Sequence, residues 1–408
     1  MFASRRRILQ GAGIASLIAQ LPGARLFAGT RRSKVYDQLG IRPVINFRGT
    51  HTVIGASKQW PELHEAMSEA SREFVVLEEL QQKAGERLSA LIGTESAMVT
   101  TGAAGAITLG TCAALTGTDT RKVRRLPDLT GMKTEVIIQK LHRNGYDHAV
   151  RATGVRIVDV ETKEQLENAA GPNTAMLYFL GGSSHDYTYE TPISLEQCLA
   201  VGKKAGFPVL VDAANMLPPW ENLRKLAAAG TDLMAISGGK HMRGPQCSGI
   251  LAGRKELIQA AWLNSNPHSD SLGRGLKAGR EEIVGVWLAA EKYSKLDFEA
   301  IDQQCARQAD YLMTQFGKIR GLRVSKTPFD RTRRVHRVKV EWDEKEVGIT
   351  ARELERQLMD GNPRVGVLRA AGQGIEFTVF MNDPGDEKIA AGRMKEIFTT
   401  AASSPRKA

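Results

Sequence analysis

Lys240 lies in the stretch Ser237-Gly238-Gly239-Lys240-His241, which directly follows the apolar run Asp232-Leu233-Met234-Ala235-Ile236. This order predicts a lysine at the C-terminal end of a strand, on a glycine-flexed turn, where α/β sheets place ligands. A second short apolar run, Pro208-Val209-Leu210-Val211, ends in Asp212, 28 positions earlier, and continues as Ala213-Ala214-Asn215. An amine and a carboxylate at two parallel strand ends suit pyridoxal phosphate (PLP). The amine forms a Schiff base with the cofactor aldehyde, and the carboxylate keeps the pyridine nitrogen protonated so that the ring withdraws electrons. Alone, either group reads as an ordinary solvated side chain. The joint pattern, with the loop Gly244-Pro245-Gln246-Cys247-Ser248-Gly249 that follows, carries the reading.

A cofactor phosphate needs its own cradle. Ala97-Met98-Val99-Thr100-Thr101-Gly102-Ala103-Ala104-Gly105-Ala106 has the grammar of a strand, a small-residue turn and a helix. Small residues at a helix start let backbone N–H groups approach an anion, and the helix dipole favours a dianion there. Thr101, Gly102, Ala103 and Ala104 are the candidate phosphate cup. By itself such a run is equally the mark of tight packing. It gains weight by preceding an aspartate strand and a lysine strand in one chain.

The elements that must hold these groups alternate along the sequence. Val35 to Gly55 reads as an extended arm, not a helix, and carries Arg48, Thr50 and His51. Phe74, Leu77, Leu80, Ala84, Leu88 and Leu91 then recur at steps of three and four, a helical core face stopped by Gly93. Strands are expected at Glu135 to Gln139, Val155 to Val160, Thr174 to Leu180 and Gly249 to Ala252, with helices between, which implies a mostly parallel sheet covered on both faces. Arg280 to Leu296 has the spacing of a long connecting helix. Beyond it, a helix at Ala306 to Phe316, strands at His336 to Trp342, Val365 to Leu368 and Ile375 to Phe380, and a helix at Glu387 to Phe398 make a smaller α+β unit. The expected division is 1–28 signal, 29–275 arm and large domain, 276–305 connecting helix, 306–400 small domain, and a polar, frayed tail at 401–408.

Composition fits this plan. The chain has 408 residues, 42% of them hydrophobic, enough for one large core and a smaller one. Its net charge of +11 is spread along the chain, not gathered into a stripe with interleaved aromatics, so it points to anionic ligands and not to nucleic acid. Cys112, Cys198, Cys247 and Cys305 show no paired spacing, exclude zinc and thioredoxin-like motifs, and are expected to be buried, inert thiols. Residues 1–28, with Ser4-Arg5-Arg6-Arg7-Ile8-Leu9 before a mildly apolar run from Gly11 to Leu21, resemble a twin-arginine export signal. The run falls short of the ~20 residues that span a bilayer, so a periplasmic enzyme without a membrane anchor is expected.

Thr101-Gly102-Ala103-Ala104, Val211-Asp212-Ala213-Ala214, Ser237 to Gln246 and Gly273-Arg274-Gly275-Leu276-Lys277 together resemble the selenocysteine-synthase-like group of fold-type I PLP enzymes, across most of the chain. The sequence is most similar to the D-glucosaminate-6-phosphate ammonia-lyase-like branch. It is less similar to the synthase that converts seryl-tRNA to selenocysteinyl-tRNA, and no N-terminal tRNA-binding domain is evident. The resemblance implies an aspartate-aminotransferase-like large domain and a homodimer or higher homo-oligomer with shared sites. It further implies Lys240 as Schiff-base lysine, Asp212 as pyridinium partner, Ala214 beneath the ring, and Ser237 on the phosphate. His142 would be the plate stacked on the ring, with Tyr146 and His148 as competitors, and Ser183 or Ser184 would meet the ring hydroxyl. Arg274 and Lys277 would hold an anionic substrate group, and Arg369 would clamp its carboxylate. The expected reaction is a lyase one, α-proton abstraction and β-elimination on an amino acid or amino sugar acid, releasing a keto acid and ammonia. The alternatives are a PLP-dependent transferase and a PLP-binding protein without turnover.

Overall fold

The computed structural model describes residues 34–182, 191–329, 333–370 and 374–403, and the expected signal segment, Ser183 and Ser184 lie outside them. The chain divides into two units, Met1–Pro43 and Val44–Ala408. Within the first, Lys34–Gln38 is a short helix, so this stretch is not the extended arm its composition predicts. The second holds everything that follows.

Seven strands form the main sheet, in the spatial order Ser96–Thr101, Ser248–Gly253, Leu233–Ser237, Val209–Asp212, Thr174–Leu180, Glu135–Gln139, Arg156–Val160. Every pairing is parallel except the two made by Ser248–Gly253. The central strands are buried throughout because both faces are covered, which is why they read as continuous apolar runs. Val209, Val211, Met234 and Ile236 face one core with Leu88, Ile92, Ile283 and Val286 of the helices Leu77–Ile92 and Arg280–Tyr293. Leu210, Leu233, Ala235 and Tyr178 face the other, beneath the helices Gly102–Thr116 and Lys255–Leu263.

A smaller sheet, ordered Leu368–Arg369, Ile375–Thr378, Arg337–Trp342, Leu322–Lys326, packs against the helices Phe298–Phe316 and Asp386–Ser403 through Val338, Val340, Phe377, Leu312 and Met394. Residues 44–60 belong to this second unit and tie into the smaller sheet. Val44–Asn46 pairs in parallel with Arg364–Gly366, and the Thr378 N–H donates to the Phe47 carbonyl. Several expectations shift here. Phe74 is 97% exposed, because the helix it was assigned to begins only at Leu77. The expected strand Val365 to Leu368 is two strands in different sheets, Leu322–Lys326 has no periodic signal in the sequence, and the final helix runs to Ser403 into the expected tail. Cys112, Cys198 and Cys305 are buried, and burial pushes their thiols up to about 12, about 12 and about 11, but Cys247 is exposed. Among the described residues no helix is long and apolar enough to cross a membrane, and no cluster could hold a metal ion.

Candidate active site

Strand register brings the separate motifs to one edge. Leu180 lies beside Asp212, Asp212 beside Ala235, Ser237 beside Gly249, and Thr101 beside Ser248. The carboxyl ends of four parallel-running strands therefore share one rim of the sheet. Because side chains alternate along a strand, Asp212 follows Leu210, and Ser237 follows Ala235, onto the face covered by the Gly102–Thr116 helix.

Asp212 is buried there with two donors on its carboxylate. The Tyr178 hydroxyl donates to Oδ2 at 2.7 Å, and the Ala214 N–H donates to Oδ1 at 3.0 Å. Burial, and then the Asp212 charge, push the Tyr178 phenol above its ordinary pKa, so it stays a donor. Lys240 faces a cleft of about 520 Å³ lined also by Ser237, Gly239, Gln246 and Glu282. Burial holds its amine below the ordinary lysine pKa and the Arg333 charge adds to this, while Asp212 opposes it. The two glycines before Lys240 are required by space, since a Cβ on Gly239 would lie 2.5 Å from the Gln246 Cα, and one on Gly238 would lie 2.4 Å from the Ser248 hydroxyl.

The phosphate cradle can be tested against the structure itself. The strand Ser96–Thr101 passes directly into the helix Gly102–Thr116 through Gly102, at φ +65°. No side chain caps this helix start, and the buried Thr101 Oγ1 has no hydrogen-bond partner among the described residues. An uncapped fifteen-residue helix beside an orphaned hydroxyl, on the rim that carries Asp212 and Ser237, fits the phosphate of PLP.

A second pocket, of about 50 Å³, is lined by His241, the residue after Lys240. Arg48, His51, His241, Arg333 and Arg337 line it, together with Asn215 from the Asp212 loop. Arg337 is paired with Glu376 at 3.5 Å, and Arg48 with Glu355 at 3.6 Å. His241 is buried, its ring packs on Phe380 with centroids 4.2 Å apart, and burial followed by the Arg333 and Lys240 charges holds it well below the ordinary histidine pKa. The sequence motifs name none of Tyr178, Arg333 and Arg337. Parity of Tyr178 with the aspartate strand is the one signal that could have found it, and the two arginines lie in a loop and at a strand start with no pattern of their own.

Other expected site residues fall elsewhere. Arg369 is half-exposed and paired with Glu355 at 3.0 Å, and only its neighbour Leu368 reaches the basic pocket. Arg274 donates to the Asn266 side chain at 3.2 Å, and Lys277 is exposed; neither lines the cleft or the pocket. His142 is fully buried, edge-on to Phe179, with its Nδ1 accepting from the Leu180 N–H at 3.3 Å, and burial pulls its pKa down to about 4. Tyr146 is exposed. Ala214 sits half-buried two positions after Asp212.

Residues 148–357 match the family model described as aminotransferase class-V. The chain belongs to that family. It is 30% identical to the D-glucosaminate-6-phosphate ammonia lyase of Salmonella typhimurium over 90% of this chain and 99% of the relative. It is 29% identical to the 5'-C-glycyluridine monooxygenase-decarboxylase of a Streptomyces species, over 91% and 93%. An L-seryl-tRNA(Sec) selenium transferase of Escherichia fergusonii is 29% identical, but over 61% of this chain and 56% of that one. Among solved structures, a D-glucosaminate-6-phosphate ammonia-lyase superposes with a TM-score of 0.78 at 29% identity, covering 91% of this chain and all of that one. A NifS-like protein, with a TM-score of 0.59 at 18% identity over 85% and 98%, shares the fold. The architecture is the fold-type I, aminotransferase-like α/β fold.

Proposed function

We propose that this chain is a PLP-dependent carbon–nitrogen lyase that removes ammonia from an anionic amino acid or amino sugar acid. The observation that carries the reading is the shared rim, with Lys240 beside Asp212 and an uncapped helix start at an unpartnered Thr101 hydroxyl. Thr101, Gly102, Ala103, Ala104 and Ser237 would hold the phosphate, Asp212 the pyridine nitrogen and Lys240 the aldehyde carbon. PLP supplies the electron-withdrawing ring that makes the substrate's α-hydrogen acidic.

The chain's own residues do the rest. Lys240, its amine held below the ordinary lysine pKa by burial, would take the α-proton. Tyr178 fixes the Asp212 carboxylate from one side and the Ala214 N–H from the other. Arg333 and Arg337, with Arg48, line a small pocket whose guanidinium groups fit the substrate carboxylate. The net change for a 2-amino-3-hydroxy acid is a 2-keto acid plus ammonia. The near-full-length match to a lyase supports this over a transferase acting on tRNA, since that match spans little more than half of the relative.

Val53 and Phe74 are exposed, 77% and 97%, in the segments that also supply Thr52 and Met67 to the Lys240 cleft. Apolar groups so placed support a homodimer or higher oligomer that covers the cleft. Arg5 and Arg6 support export to the periplasm. The test is twofold. Borohydride reduction of PLP-loaded protein, followed by peptide mapping, must place the cofactor on Lys240, and ammonia release must be found with D-glucosaminate or its 6-phosphate. Cofactor on another lysine, or full PLP occupancy without ammonia from either compound, overturns the lyase reading.

A further inference from the structure

The turn that carries Lys240 is strapped to a segment about 180 residues earlier in the chain. Ser57 Oγ donates to the Gly239 carbonyl at 2.8 Å, Trp60 Nε1 to the Met242 carbonyl at 2.9 Å, and Gln246 Nε2 to the Thr52 carbonyl at 3.3 Å. Arg243 answers in the opposite direction, its Nε donating to the Lys58 carbonyl at 2.6 Å, while its own carbonyl accepts the Trp60 N–H at 3.2 Å. The Arg243 guanidinium lies over the Trp60 ring at 3.9 Å, and the Lys292 ammonium lies 4.7 Å from the same ring.

Arg243 also adopts φ +60°, a left-handed conformation that a non-glycine residue rarely holds without compensation. Its N–H donates to the Lys240 carbonyl at 3.0 Å, so that strained residue closes the lysine turn itself. A turn chosen for backbone comfort alone would place glycine at this left-handed position. The arginine side chain must therefore repay the strain, and the contacts it makes are those with Trp60 and Lys58.

We propose that the Trp60–Arg243 clasp is a positioning device for Lys240, fixing the orientation of its amine at the rim of the sheet. The inference rests on the proposed role of Lys240. Both residues act through the turn, and neither needs to touch cofactor or substrate. The same strap carries Arg48 and His51 into the basic pocket, and Lys58 reaches Asp383 at 2.8 Å, so the clasp also joins the lysine turn to the segment that follows the smaller sheet.

The test compares wild type with Arg243→Gly, Arg243→Lys and Trp60→Phe in the full chain. Glycine relieves the left-handed backbone, so Arg243→Gly should melt no lower than wild type. With the clasp gone, its PLP affinity should nevertheless fall about tenfold or more through lost preorganisation. In PLP-free protein, the pH profile of reductive methylation of Lys240 by formaldehyde, read by mass spectrometry against exposed Lys83, should shift. Trp60→Phe keeps the ring under the cation and Arg243→Lys keeps the cation over the ring, so each should restore part of the wild-type profile. A wild-type Lys240 profile and PLP affinity in Arg243→Gly overturn the proposal. So do losses that merely track lowered melting across all three variants. Failure of PLP to attach to Lys240 in the wild type would reject the proposed function instead, and the formaldehyde profile would still decide the clasp.

Discussion

Replacing Asp212 by asparagine removes one charge and almost no volume, at a side chain only 6% exposed and held by two donors. The asparagine oxygen can keep the Ala214 N–H, and its amide can donate to the Tyr178 oxygen, so both contacts survive in weaker, uncharged form. A hydrogen bond to a charged group contributes about 1.5–3 kcal/mol against about 0.5–1.5 for a neutral one, a difference of about 1–1.5 kcal/mol per bond, which sets the expected loss of stability for the two bonds at about 2–3 kcal/mol. Lys240 responds in a definite direction. Asp212 alone opposes the burial and the Arg333 charge that depress its amine, so the PLP-free lysine should titrate lower still in the variant. PLP should therefore still attach to Lys240 through an intact phosphate cradle. Removal of the substrate's α-proton should slow by about 10²–10³-fold, the range seen when a buried electrostatic stabiliser is lost. The assay is exchange of the α-hydrogen of a bound amino acid for deuterium in heavy water, followed by mass spectrometry at matched PLP content. Exchange within about twofold of wild type would refute the role assigned to Asp212.

The basic pocket separates two sets of arginines. Arg333→Gln or Arg337→Gln should raise KM for a carboxylate substrate by about tenfold or more, while Arg369→Gln, outside the pocket, should leave KM within about twofold. Equal effects of all three would remove the pocket from substrate binding. His142, depressed to about 4 against an ordinary 6.5, is neutral in the folded chain, so the unfolded chain binds the extra proton on acidification. Its contribution is present above pH 6.5 and is lost as the pH falls towards 4, by about 3 kcal/mol in full. Urea unfolding at pH 7.5 and 4.5 should show a smaller loss for His142→Phe than for wild type, and an unchanged loss would count against this burial. Under the proposed export, replacing Arg5 and Arg6 by lysine should leave the precursor inside the cell, as read by fractionation, because a twin-arginine signal is read by a receptor. Undiminished export would argue for another route.

The rim of the large sheet was legible because three strand-and-turn motifs declare themselves through composition. Apolar runs that end in Asp212 or Thr101, or pass at Ser237 into the Gly-Gly-Lys240 turn, state both the strand and the point where it stops. Register then had only to align the ends. His142 misled because a histidine soon after a strand looks the same whether it faces a cofactor or the core, and here Phe179 and the Leu180 N–H claim it. Arg369 misled for a related reason. A lone arginine near a strand end carries no record of which neighbour it pairs with, and Glu355 has taken it. Tyr178 was hidden in an apolar strand, where only its parity relative to Asp212 marks it as more than core.

The basic pocket was the least legible feature, and its make-up explains why. Arg48 and His51 come from the strap, Asn215 and His241 from loops after two sheet strands, and Arg333, Arg337 and Glu376 from the smaller sheet and the segment before it. None of these stretches is periodic, and nothing local says that they meet. The cofactor machinery thus comes from the repetitive part of the fold and the proposed substrate contacts from its irregular connections. Lys240 and His241 stand at the boundary. Adjacent in sequence, they face the large cleft and the small pocket respectively, and Arg333 lies close enough to lower the pKa of both. A carboxylate seated at Arg333 would compensate that charge, relieve part of the depression of Lys240, and so make binding of the correct substrate itself adjust the base that acts on it.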